Sequence, residues 1–151
     1  MSPTKATRPD PSGAVPSRTQ QSASRDPSRA ELDEVIAERV RKAVAAADDR
    51  KAGDLKVLAL ADVSDFTDYF VLCSGTSDRQ VQAIASAIDE TLRKDKVRPL
   101  HQEGLSGGRW VLLDYGDFIV HVFQEETRRF YGLERLWSDA PDVTERFQAA
   151  S

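Results

Sequence analysis

Cysteine is almost missing from this chain. Of 151 residues only Cys73 carries a thiol, so neither an internal disulfide nor a zinc site built on paired cysteines is available. Histidine is nearly as scarce: His101 and His121 are the only two, without the spacing a metal site needs. No apolar run approaches the roughly 18 residues that a membrane span requires. The first residues hold no stretch of roughly 7–15 apolar side chains of the kind a secretory signal uses. These shortages point to a reducing, cytoplasmic compartment and to a protein without metal or cofactor.

What is present is a normal soluble balance, 40% hydrophobic and 30% charged, with length for one domain. The net charge of −4 is uneven. Residues 1–29 carry Lys5, Arg8, Arg18, Arg25 and Arg29 against Asp10 and Asp26, a net +3, which leaves −7 on the other 122 residues. An acidic body is poorly suited to sequence-specific grip on nucleic acid, where Lys and Arg displace counterions. It suits a basic protein partner better.

Residues 1–27 read as a disordered tail, because five of the seven prolines lie there with Val15 as the sole sizeable aliphatic after Met1. Its Arg/Ser content faintly resembles a transit peptide, but its prolines oppose the amphipathic helix such a peptide forms. Ser28 and Glu31 form a capping-box pair. Leu32, Val35, Ile36, Val40, Ala43, Val44 and Ala47 follow at helical spacing, and Gly53 is the expected stop. Leu55–Ala61 and Tyr69–Cys73 read as strands. A second helix starts behind Ser77 and Gln80, another capping-box pair, with Val81, Ile84, Ala85, Ile88 and Leu92 on its apolar side. Residues 97–102 form a third expected strand.

Trp110–Asp114 and Phe118–Phe123 flank Tyr115-Gly116-Asp117, which predicts an antiparallel hairpin. Residues 124–137 read as one helix with Phe130, Leu133 and Trp137 on a single face, stopped by Pro141. The element order, α-β-β-α-β-β-β-α, gives an α+β fold with a mixed sheet flanked by helices.

Several constellations could carry chemistry. Asp62, Asp65, Asp68, Asp114 and Asp117 invite a metal or acid–base reading, but turn and cap duties explain them with less. Gly75-Thr76-Ser77 could hold a phosphate at a helix N-terminus, as in nucleotidyl transfer. That chemistry also needs paired carboxylates on a following strand, and none follows. The turn reads as a cap, leaving a nucleotide-handling enzyme that combines it with Asp114 or Asp117 as the alternative. Cys73 and His121 read as buried packing and as a structural, hydrogen-bonded imidazole.

Trp110 stands differently. Alternation along its strand sends Trp110, Leu112 and Asp114 one way and Val111, Leu113 and Tyr115 the other. If the second set lies under the helices, the first presents an aromatic and aliphatic patch with an acidic rim, the composition of a binding hot spot. Ordinary core duty for Trp110 explains the residues equally well.

The last third of the chain also carries a pattern: Glu103-Gly104, Trp110-Val-Leu-Leu-Asp114, Gly116-Asp117, Val120-His-Val-Phe123, Arg128-Arg129, Tyr131, Leu133-Glu134 and Leu136-Trp137. Upstream, Asp68-Tyr-Phe-Val71, Ser74-Gly-Thr-Ser77, Gln80-Val81 and Ala83-Ile-Ala85 extend it. In order and spacing these resemble the Iojap family of ribosomal silencing factors, over about residues 30–140. The expected organisation is therefore a tail (1–27), a silencing domain (28–140) and a C-terminal extension (141–151).

The resemblance implies a fold similar to nucleotidyltransferases without their catalytic carboxylates. It also implies binding to the large ribosomal subunit through its fourteenth ribosomal protein, on the face that meets the small subunit, and repression of translation under nutrient limitation. It implies a capacity to form homodimers, and no enzymatic activity. In the family the tryptophan of the W-x-L-x-D strand contributes to the ribosomal contact. It maps onto Trp110, and the shared strand face extends the expectation to Leu112 and Asp114.

Overall fold

The structure is a computed structural model that describes residues 27–148, and the expected tail lies outside the described residues. Contacts divide the chain after Val35. Of the first unit, the described residues 27–35 are all helical, with an ion pair of 3.5 Å between Arg29 and Asp33 one turn apart. They open helix α1 (Pro27–Asp49). Proline suits a first helical turn, where its missing N–H removes no helical bond. Ser28 lies inside that turn instead of capping it.

From Ile36 onward the apolar stripe of α1 is buried: Ile36, Val40, Ala43, Val44 and Ala47 are at most 3% exposed. The expected stop at Gly53 is replaced by a Schellman turn. Lys51 N–H donates to the Asp48 carbonyl at 2.9 Å and Ala52 N–H to that of Ala47 at 3.1 Å, with Lys51 left-handed at φ 62°. Gly53 instead opens β1 (Gly53–Ala59). Next come β2 (Tyr69–Gly75) and α2 (Asp78–Arg93).

α2 closes in the same way as α1. Lys96 sits at φ 65°, donating to Arg93, and Val97 N–H donates to the Leu92 carbonyl at 3.0 Å. That bond consumes an amide expected in the third strand, and Pro99 has none to offer. Strand β3 therefore shrinks to His101–Glu103. β4 (Trp110–Asp114) and β5 (Phe118–Gln124) form the expected hairpin.

The five strands lie in the order β1-β2-β5-β4-β3, with β2 and β5 parallel and the other pairs antiparallel. This is the mixed, helix-flanked α+β sheet that the element order implied. One face packs Val57, Val71, Cys73, Val111, Leu113, Val120 and Val122 into the same cluster as the stripes of α1 and α2. The opposite face holds Leu58, Phe70, Leu72, Ile119 and Phe123, with Trp110, Leu112, Leu133 and Trp137 at its margin.

Only short elements stand beyond the hairpin. The single helix expected over 124–137 breaks at Gly132 (φ 57°) into α3 (Glu125–Tyr131) and α4 (Leu133–Leu136). The break separates Phe130, which is 80% exposed, from the half-buried Leu133 and Trp137. Past Pro141 the chain returns to the sheet. Val143 N–H donates to the Val57 carbonyl at 2.8 Å, and Val57 N–H to Thr144 Oγ1 at 2.9 Å. α5 (Thr144–Phe147) then buries Phe147 beside Tyr69, at 5.2 Å between ring centroids. Residues 141–148, expected as an extension, thus close the outer edge of β1. Among the described residues no helix is long and apolar enough to cross a membrane.

Candidate partner-docking face

The loop before β4 is shaped by glycine. Gly104 stands at φ +82°, and a Cβ there would lie 2.0 Å from the Trp110 carbonyl oxygen, so no larger residue fits against the start of the strand. From that fixed start, β4 pairs Trp110 with Phe123, Leu112 with His121 and Asp114 with Ile119. The pleat buries Val111, Leu113 and Tyr115 on the helix side. Trp110 and Leu112 stand half-buried on the opposite face. Asp114 shares that face about 13 Å further along. Its Oδ1 accepts the Gly116 amide at 2.8 Å, so turn duty engages one of its oxygens.

Trp110 belongs to a chain of rings. Its indole lies 4.9 Å from Phe123 and 5.0 Å from Tyr131, and Tyr131 meets Phe130 edge-on at 5.0 Å. On its other side the chain runs through His121 to Phe70, and from Phe70 to Trp137 and Phe66. Phe66, Phe130 and Tyr131 are exposed, as is Leu136 on α4. Sequence reasoning missed Phe130 as a surface ring because it assumed an unbroken helix. Tyr131-Gly132 was the available signal, since a glycine inside a helical pattern marks a stop.

Arg128 braces this segment internally and ties it to the sheet. Arg128, 7% exposed, grips Glu134 with Nε and Nη2 at 3.0 and 3.1 Å, while Nη1 donates to Ser74 Oγ at 2.7 Å. The Arg128 hydrogen bond is the main cause holding the Glu134 carboxyl below its ordinary range. The clamp spans Gly132 and so fixes α3 against α4. It borders an open cleft of about 710 Å³ whose lining mixes Lys56, Arg129 and Arg135 with Asp54 and Glu125.

The groups with chemical potential do not converge. Ser77 Oγ accepts the Gln80 amide at 3.1 Å, and Gln80 Oε1 accepts the Thr76 amide at 2.7 Å. The cap is therefore formed as expected, with the return bond one residue earlier. Gly75 is tightly enclosed, since a Cβ would meet Val81 Cγ2 at 3.0 Å and the Val81 nitrogen at 3.1 Å. Pairing of Tyr69 with Phe118 and of Gly75 with Gln124 sets that turn about 20 Å from Asp117, at the other end of the sheet.

Asp62 and Asp65 are exposed in the β1–β2 loop, while Asp68 is buried, its amide donating to the Asp117 carbonyl at 2.9 Å. Among the described residues no three His, Cys, Asp or Glu side chains gather as a metal site. Cys73 faces the helices, where burial pushes its thiol up to about 12. His121 faces the other way, so the two cannot pair. Burial lowers the imidazole to about 3, holding it neutral. His101 is exposed on β3, beside Glu103 at 2.6 Å.

With this geometry in view, residues 33–151 match the family described as "Ribosomal silencing factor during starvation" (RsfS). The ribosomal silencing factor RsfS of Bacillus subtilis (strain 168) is 46% identical over 99 residues, covering 66% of this chain and 84% of its own. A crystal structure of a Bacillus halodurans protein is 40% identical with a TM-score of 0.64, covering 70% of this chain and 96% of its own. One from Chromobacterium violaceum is 33% identical with a TM-score of 0.65, covering 67% and 84%. By the sequence of residues 33–151, and by the fold it shares with these structures, the chain belongs to the family of ribosomal silencing factors.

Proposed function

We propose that this protein binds the large ribosomal subunit through its fourteenth ribosomal protein and blocks subunit joining by bulk, repressing translation when nutrients are short. The action is steric, in the cytoplasm, with no bond made or broken and no cofactor required. The observation that carries this reading is the half-buried Trp110, set with Leu112 in a run of rings whose outer members, Phe130 and Tyr131, are exposed. Rigid aromatics gathered on one surface are what interface hot spots use. The excess of acidic groups outside the first 29 residues suits a basic ribosomal protein, and opposite potential speeds encounter. Asp114 contributes to that rim with the oxygen its turn leaves over.

Sedimentation with purified large subunits tests the reading. Trp110→Ala should fold normally yet weaken binding by roughly 2–4 kcal/mol. Unchanged cosedimentation of the folded variant would remove Trp110 from the contact. Failure of the unaltered protein to travel with free large subunits would remove the function itself.

A further inference from the structure

β5 is buried along all but its last residue, and His121 interrupts its apolar run. Phe118, Ile119, Val120, Val122 and Phe123 are all buried side chains, and the imidazole among them is 4% exposed. Its Nδ1 accepts a hydrogen bond from Trp110 Nε1 at 3.1 Å. An accepting Nδ1 requires the proton to sit on Nε2, so one neutral tautomer is selected. Among the described residues that Nε2–H is buried with no hydrogen-bond partner. Packing alone would favour an apolar ring here, since a buried donor left unpaired opposes folding.

The polar group gains one thing at this position, a fixed direction for the indole of Trp110. The rings of Phe123 and Tyr131 flank that indole, but ring contacts leave its sense of rotation open. A hydrogen bond at the indole nitrogen closes it. We propose that His121 is a positioning residue for docking: through Nδ1 it presets the Trp110 indole in its binding orientation at the margin of the sheet's second face. The inference rests on the docking role of Trp110 proposed above. Its benefit is pre-organisation, because a side chain held in place before contact loses less freedom on binding.

The test uses the full chain and purified large ribosomal subunits, with three variants. Trp110→Ala reports on the docking reading. His121→Phe removes the acceptor while keeping a ring. His121→Asn keeps an acceptor, its Oδ1, at the place of Nδ1 on a non-aromatic side chain. The expected result for His121→Phe is a thermal midpoint equal to or above the unaltered protein, with affinity lowered about 3- to 10-fold. The Trp110 indole N–H resonance should move upfield as its hydrogen bond is lost. His121→Asn should return both the resonance and the affinity, the latter to within about twofold.

Full affinity in folded His121→Phe, with Trp110→Ala still weakened, overturns the positioning role and leaves the docking role standing. Full affinity in both variants overturns the docking role and the inference with it. Should His121→Phe not fold, His121→Asn decides: an indole resonance at its original position with affinity down more than tenfold overturns the proposal, and retention of both supports it.

Discussion

At the scale of single residues, His121 has a consequence for acid stability that can be signed. Its conjugate acid titrates near 6.5 when exposed and near 3 in the fold, because burial disfavours the charged ring. Between those values the unfolded chain takes up a proton that the folded chain refuses. This contribution is therefore absent above about pH 6.5, and stability falls as pH drops from there toward 3, by up to about 1.4 kcal/mol per pH unit. Denaturant unfolding at pH 7, 6, 5 and 4 should show a steeper loss for the natural protein than for His121→Phe. Parallel slopes would mean that the imidazole titrates normally in the fold. The alternation placing Trp110 and Leu112 opposite Val111 and Leu113 was legible in sequence because it is a property of the strand itself. The hydrogen bond between Trp110 and His121 was not, since it joins two strands through side-chain geometry.

At the scale of elements, both long helices end on a lysine in the left-handed region, Lys51 at φ 62° and Lys96 at φ 65°. A side chain with a Cβ is strained there by roughly 1–2 kcal/mol, and glycine is not. Glycine gives part of that back through its freedom in the unfolded chain. Lys51→Gly and Lys96→Gly should each stabilise the protein by about 0.5–1 kcal/mol, read as a raised thermal midpoint, with both Schellman bonds kept. A lowered midpoint in either variant would show that the strain is relieved elsewhere. These stops were invisible in the sequence because lysine carries no turn signal, and the nearest glycine, Gly53, stands two residues beyond the true stop at Lys51. Gly132 shows the reverse: its signal was present, but the helical spacing of Phe130, Leu133 and Trp137 spoke louder.

At the scale of the whole described fold, the mixed sheet and its helix-covered face were readable from the order and periodicity of the elements. The closure by residues 141–148 was not. It depends on Val143, Thr144 and Phe147 finding β1 across a long stretch of chain, and no local pattern encodes such a meeting. Phe147 is 4% exposed within the main core cluster. Phe147→Ala should cost about 3–5 kcal/mol, measured by chemical unfolding. A loss under about 1 kcal/mol would mark the segment as an accessory to a core complete without it.

That closure also sets a clock on the protein's own birth. Val57 waits for Thr144, which is 87 residues further along the chain. At about 5–20 residues per second, the interval is roughly 4–17 s of synthesis. Throughout it β1 can pair with β2 while its outer amides stay open to water or to a chaperone. The sheet is sealed only after nearly all of the described chain has been made. A factor of the ribosomal silencing family thus gains its finished edge only once translation has passed Thr144.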